Sequence, residues 1–163
     1  MGRTFRGESH HKVDNKGRVS IPALFRRVVE AGDPGWSPGE NPELVIVYGD
    51  ERRDYLECFT VEAIERVDVK ISRLPRASLQ RKSLQRLYSG QAHPATVDET
   101  GRLVLPKKLR DKVAITDSAF FIGNGDTFEI WNYATYEVSD LADGDDGYDP
   151  AVDPAIYLPG EED

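Results

Sequence analysis

The sequence predicts an α+β protein, mainly β, in which two internal repeats interleave their strands into a closed barrel joined by connecting α-helices. Three observations carry this. First, residues 5–27 (FRGESHHKVDNKGRVSIPALFRR) align with residues 88–110 (YSGQAHPATVDETGRLVLPKKLR). Asp14, Gly17, Arg18, Pro22 and Arg26 match Asp98, Gly101, Arg102, Pro106 and Arg110 without a gap, and Ile21 matches Leu105. Second, the likeness continues downstream, LVIVYGD (44–50) with AFFIGNGD (119–126) and LECFT (56–60) with FEIWN (128–132). Third, one such unit is too short to bury much apolar surface, and interleaving two removes exposed strand edges.

Each element has a local reason. In the first copy SHHKV runs into DNKG, where Gly17 supplies positive φ and Asp14 can accept from turn amides. RVSI alternates, with Val19 and Ile21 on one face. Pro22 suits a helix start, and ALFRRVVEAG follows with Leu24, Phe25, Val28 and Val29 on one side and Gly32 as a stop. ELVIVY and YLECF read as two further strands. The second copy repeats the order: QAHPATV, RLVL, the helix KKLRDKV, then SAFFI and FEIW joined by GNGD. The first module spans 8–59 with a Pro- and Gly-rich loop insertion at 31–43, and the second spans 92–135.

The connector, 60–87, is helical. Thr60 caps a helix with Ile64, Val67, Ile71 and Leu74 on one side. Pro75 ends it, and Ser78 opens another with Leu84, Leu87 and Tyr88 on one side. Lys70, Arg73, Arg76, Arg81, Lys82 and Arg86 lie here, with no acid from Val69 to Val97. They are either a solvated face, a contact to DNA flanks, or a match for acids of a neighbouring subunit. Asn132 caps a last helix, and the acidic tail 143–163 lacks periodicity and is expected to be disordered.

Charge is segregated. From Glu137 to Asp163 there are ten acids and no Lys or Arg, so residues 1–136 hold 19 acids against 21 bases, a net of +2 within a chain of net −8. No apolar run is long enough to span a membrane, and the polar N-terminus lacks a signal-peptide core, so a cytoplasmic protein is expected, with no membrane partner. The single Cys58 excludes an internal disulfide framework and reads as a core thiol. His10, His11 and His93 lack HxxxH or HxH spacing, so no metal site is expected. GNGD at 123–126 opens no helix and is a turn, not a phosphate loop. With no GxSxG, P-loop, Cys–His pair or metal cluster, no catalytic residue, cofactor or small-molecule substrate is expected.

FRG near the N-terminus, DNKGRVSIP, SG before the second copy, DETGRLVLP and FEIW together resemble the MraZ family over residues 3–138. The resemblance implies two AbrB-like swapped-hairpin modules and a ring-shaped homo-oligomer. It further implies binding to double-stranded DNA at short repeated boxes upstream of the cell-division and cell-wall gene cluster, and regulation of transcription there. The long loop 31–43 and the acidic tail depart from that pattern.

The two DxxGR turns are the candidate site. Arg18 or Arg102 can meet guanine O6 and N7 bidentately, oriented by Asp14 or Asp98. The alternative is that each Asp–Arg pair only clamps its own turn. The first copy has the stronger basic surround, Arg3, Arg6, Lys12, Lys16, Arg18, Arg26 and Arg27 against Glu8 and Asp14, whereas Glu99 sits beside the second turn. The expected DNA-binding residues are Arg3, Arg6, Lys12, Asp14, Lys16, Arg18 and Arg102, with the first copy dominant. A second function class stays open, an oligomeric protein-interaction module of AbrB-like type without specific DNA binding. The salt dependence of DNA affinity separates the two.

Overall fold

A computed structural model describes residues 4–139 and 147–160. Arg3 and parts of the acidic tail lie outside the described residues. The first copy holds β1 (Glu8–Lys12), β2 (Arg18–Ser20), α1 (Ala23–Ala31), β3 (Glu43–Val47) and β4 (Tyr55–Thr60). The connector holds α2 (Val61–Ser72) and α3 (Leu79–Gln85), which runs on into a π-helical turn, Arg86–Gly90. The second copy holds β5 (Ala92–Thr96), β6 (Arg102–Val104), α4 (Lys107–Lys112), β7 (Ser118–Asn124) and β8 (Thr127–Trp131), followed by α5 (Tyr133–Val138). Within 147–160, Pro154–Tyr157 forms a 3-10 turn with Tyr148 packed against Tyr157.

Strands do exchange between the copies. β1 of the first copy pairs along its length with β7 of the second, His10 opposite Phe120, and β5 of the second pairs with β3 of the first, His93 opposite Ile46. β2 pairs antiparallel with β6. Next to the turn the pairing within this hairpin is reduced to the Val13–Val19 bridge, so the expected first hairpin keeps its turn and gives its ladder to the other copy.

The closed barrel is not formed. The sheets are an open six-stranded one, ordered β1-β7-β8-β4-β3-β5, and the two-stranded β2–β6 ribbon. β1 and β5 lie at opposite ends of the larger sheet and remain its edges. With β2 and β6 only three residues each and paired to one another, no strand among the described residues links those edges into a closed ring.

Alternation sorts the faces of the large sheet. Leu44, Ile46, Leu56, Cys58, Ala119, Phe121, Phe128 and Ile130 pack on one face with Val19, Leu103, α1 and α4. Val45, Val47 and Phe59 meet α2 and the π-helical turn on the other. The ribbon and the helical connector therefore lie on opposite faces. Phe120 and Trp131 pack with Tyr136 of α5 on the connector's face.

The expected caps at Thr60, Ser78 and Asn132 all accept from the amide three residues on. One helix position differs. Phe25, Val28 and Val29 are buried, but Leu24 is exposed. Phe25, Val28 and Val29 define the one buried face of the short helix, and Leu24 falls outside it.

Candidate nucleic-acid interface

The ribbon brings the two turns together. In its register Arg18 lies opposite Val104 and Ser20 opposite Arg102. Val19 and Leu103 point into the core, each 1% exposed, so Arg18, Ser20, Arg102 and Val104 form the outward face. The turns support one another across the pseudo-two-fold: Leu105 N donates to Gly17 O (2.7 Å), and Ile21 N donates to Gly101 O (2.9 Å). Arg26 of the first copy donates through Nη1 to Asp98 O, in the second copy's turn. Arg110 donates through Nε to Leu105 O (2.8 Å) beside Gly17.

Within the first turn Asp14 is an anchor. Its Oδ1 accepts from the amides of Lys16 and Arg18, both at 2.9 Å, and its Oδ2 accepts from Arg18 Nε at 2.6 Å. The Arg18 amide above all, with its side chain and the Lys16 amide, outweighs desolvation and holds the Asp14 carboxyl down at about 2. Only Nε is engaged, which leaves the Nη groups of Arg18 without a hydrogen-bond partner among the described residues.

The second turn is built differently. Asp98 Oδ1 accepts from the amides of Thr100 and Arg102 and from the Thr100 hydroxyl. Arg102 Nε donates to Thr100 Oγ1 at 2.9 Å, and Asp98 Oδ2 is farther off at 3.5 Å. Desolvation pushes the Asp98 carboxyl up, but the Arg102 amide and the Thr100 groups outweigh it and lower it overall. Both readings of these arginines are thus physically compatible: Nε clamps the turn, and each side chain stays partly exposed.

Lys12 lines the same shallow cleft of about 600 Å³ as Asp14, Arg18, Ser20 and Arg102, together with Asp117. Lys16 is exposed in the turn itself. Arg6 is not brought to this place. Phe5 bridges to Gly125, whereas Lys12 faces Ser118, so Arg6 sits at the other end of β1. Of the basic residues around the second turn, Lys112 donates to the carbonyls of Gly49, Asp50 and Arg53, and Lys107 pairs with Asp111. Sequence reasoning missed Thr100, Ser20, Val104 and Asp117. The hydroxyl two residues after Asp98 was a usable signal, whereas the others depend on the cross-copy register.

Among the described residues no group of three His, Cys, Asp or Glu is placed to hold a metal ion, and no helix is long and apolar enough to cross a membrane. His10 packs on Phe120 and Tyr133, and His11 on Phe121. Cys58 is buried in the core, where desolvation pushes its thiol well above the ordinary range.

Residues 89–139 match the family described as "MraZ protein, putative antitoxin-like". The whole chain is similar to the protein named "Transcriptional regulator MraZ" of Ruegeria pomeroyi, 63% identical over 163 residues that cover 98% of each. The protein of that name from Cereibacter sphaeroides is 44% identical over 143 residues, 83% of this chain and 84% of the relative. That of Rhodospirillum rubrum is 33% identical over 139 residues, 84% of each. With identity of this size running through both turns and the connector, the chain belongs to the MraZ family.

Proposed function

We propose that this chain is a sequence-specific, DNA-binding transcription regulator of the cell-division and cell-wall gene cluster, with the β2–β6 ribbon as its reading element. It acts as a homo-oligomeric ring on short repeated promoter boxes. The observation that carries the reading is the ribbon's outward face, where Arg18 and Arg102 are each held at Nε and keep side chains 40% and 38% exposed. A major groove about 12 Å wide admits a two-stranded ribbon, and a guanidinium is shaped for guanine O6 and N7. The names of the relatives support the regulatory class. The exchange of strands between copies supports AbrB-like swapped-hairpin modules.

The first turn dominates. Lys12 and Lys16 flank Arg18, whereas Glu99 and the acceptor Thr100 sit beside Arg102. Arg6, at the far end of β1, stands apart from this contact. One ribbon is a small surface, so a ring gains affinity by engaging several boxes at once.

The test is fluorescence anisotropy on a labelled duplex from the region upstream of the chain's own gene. Log K should fall with log salt at a slope near −3 if about three phosphates are neutralised per protomer. Arg18→Ala should cost roughly 1–3 kcal/mol per box, about 5- to 150-fold, and Arg102→Ala less. A duplex with one intact box should bind far more weakly than the array. No saturable, sequence-dependent binding at any ionic strength would leave the protein-interaction module as the function.

A further inference from the structure

Of the side chains on the ribbon's outward face, Arg18, Ser20 and Arg102 are polar and Val104 is not. The internal repeat matches Arg18 with Arg102, but it matches Ser20 with Val104. Val104 is 50% exposed, an apolar group set into a polar surface. Strand pairing does not call for it. β2 forms with Ser20 at the matching place, where it is also exposed.

The register brings Val104 to Arg18. Leu105 N donates to Gly17 O on one side of them, and Ile21 N donates to Gly101 O at the far end of the ribbon. Hydrogen-bonded and non-hydrogen-bonded pairs alternate along an antiparallel ladder. Arg18–Val104 and Ser20–Arg102 therefore fall at non-hydrogen-bonded positions, where Cα atoms stand about 4.5 Å apart and side chains lie closest. The two pairs are two residues apart along the ribbon, about 6.6 Å, or about two base steps of roughly 3.4 Å. Arg18 Nε rests on Asp14 Oδ2 at 2.6 Å, which keeps the guanidinium beside its own turn instead of at full reach. A base edge that meets its Nη groups then comes close to the Val104 methyls. In the major groove the feature that suits an apolar side chain is the thymine methyl, the other distinguishing groups being hydrogen-bond donors and acceptors.

We propose that Val104 reads a thymine methyl next to the guanine met by Arg18, and that Ser20, its counterpart beside Arg102, reads none. The ribbon is pseudo-two-fold in its backbone and unequal in what it recognises. The step on the Arg18 side carries a thymine, and the matching step on the Arg102 side requires none. This rests on the reading of the ribbon as a DNA-recognition element and adds a base identity to it.

Deoxyuridine tests the assignment, because it removes the thymine methyl and keeps the hydrogen-bonding edge. Each thymine of the bound duplex is replaced in turn, and affinity is measured by fluorescence anisotropy. A parallel series replaces each guanine by deazaguanine, which lacks the N7 acceptor. One deoxyuridine per box should weaken wild type about fourfold, the effect of about one buried methyl group. It should lie beside the guanine whose deazaguanine penalty disappears in Arg18→Ala. The same deoxyuridine should leave Val104→Ser unaffected. Ser20→Val, with a thymine placed at the matching step on the Arg102 side, should gain a methyl dependence of similar size, and circular dichroism checks that both variants fold. A wild type indifferent to every deoxyuridine overturns the proposal. So does a methyl dependence that persists in Val104→Ser, or a folded Ser20→Val that gains none. In each of these cases the guanine series and Arg18→Ala still report on the ribbon's contact with DNA, so the proposal can fail while that reading stands. Absence of any sequence-dependent binding overturns both.

Discussion

Gly17 and Gly101 occupy matching places in the two turns, yet alanine should cost very different amounts at each. Both are in the left-handed region, at φ +83° and +81°. An L-residue pays about 1–2 kcal/mol to enter it, and at Gly101 that is the whole cost, since nothing lies within 4 Å of where a Cβ would stand. At Gly17 the Cβ runs into the carbonyl oxygen of Leu105 and also meets the guanidinium of Arg110. That carbonyl accepts from Arg110 Nε, and Leu105 N donates to Gly17 O. Moving it away disturbs two hydrogen bonds, each worth about 0.5–1.5 kcal/mol net. The sum for Gly17→Ala is about 2–5 kcal/mol against about 1–2 for Gly101→Ala. For a chain of this size that separates the two variants by several degrees in Tm, at roughly 2–4 °C per kcal/mol. Urea titration followed by tryptophan fluorescence, with thermal melts beside it, measures both. Equal losses, or a larger loss at Gly101, would refute the claim that the ribbon seats the first turn against the second copy's backbone.

Three further outcomes are expected. Asp14 is depressed to about 2 in the folded turn, so its contribution to stability is fully present above pH ~4 and is lost as pH falls towards 2; Asp14→Asn should flatten the stability–pH curve in that window, and a curve parallel to wild type refutes the anchor role. Lys112→Met removes an ammonium that donates to three loop carbonyls and should cost about 1.5–3 kcal/mol in urea unfolding; hydrogen exchange should speed up first in residues 49–54, and unchanged exchange there would count against a role in holding that loop. Phe128→Ala empties the centre of the Phe5, Phe25 and Phe121 cluster and should cost about 3–5 kcal/mol by calorimetry; a loss under 1 kcal/mol would mean the cluster collapses into the space.

The local features were legible because they rest on short-range chemistry. The hydroxyl or amide at Thr60, Ser78 and Asn132 satisfies a helix amide wherever the helix packs. Gly17 and Gly101 mark turns because their φ is needed there. The alternation that put Val19 inward held, and so did the helical stripe of Ile64 and Ile71. Leu24 shows the limit: it is apolar, yet it falls outside the face that the short helix buries.

The sequence by itself determined the repeat, the two Asp-x-x-Gly-Arg turns and the separation of a basic body from an acidic tail. Only the tertiary structure decided which strands pair, and the sheet stayed open because of that choice. Backbone ladders carry no residue code, so β1 can satisfy its amides on β7 as well as on β2, and burial of the alternate side chains settles the partner. The same pairing set the site. It placed Val104 beside Arg18, sent Arg26 across to the other copy's turn, and carried Arg6 to the far end of β1. Those positions follow from contacts between residues distant in the chain, which no local pattern encodes.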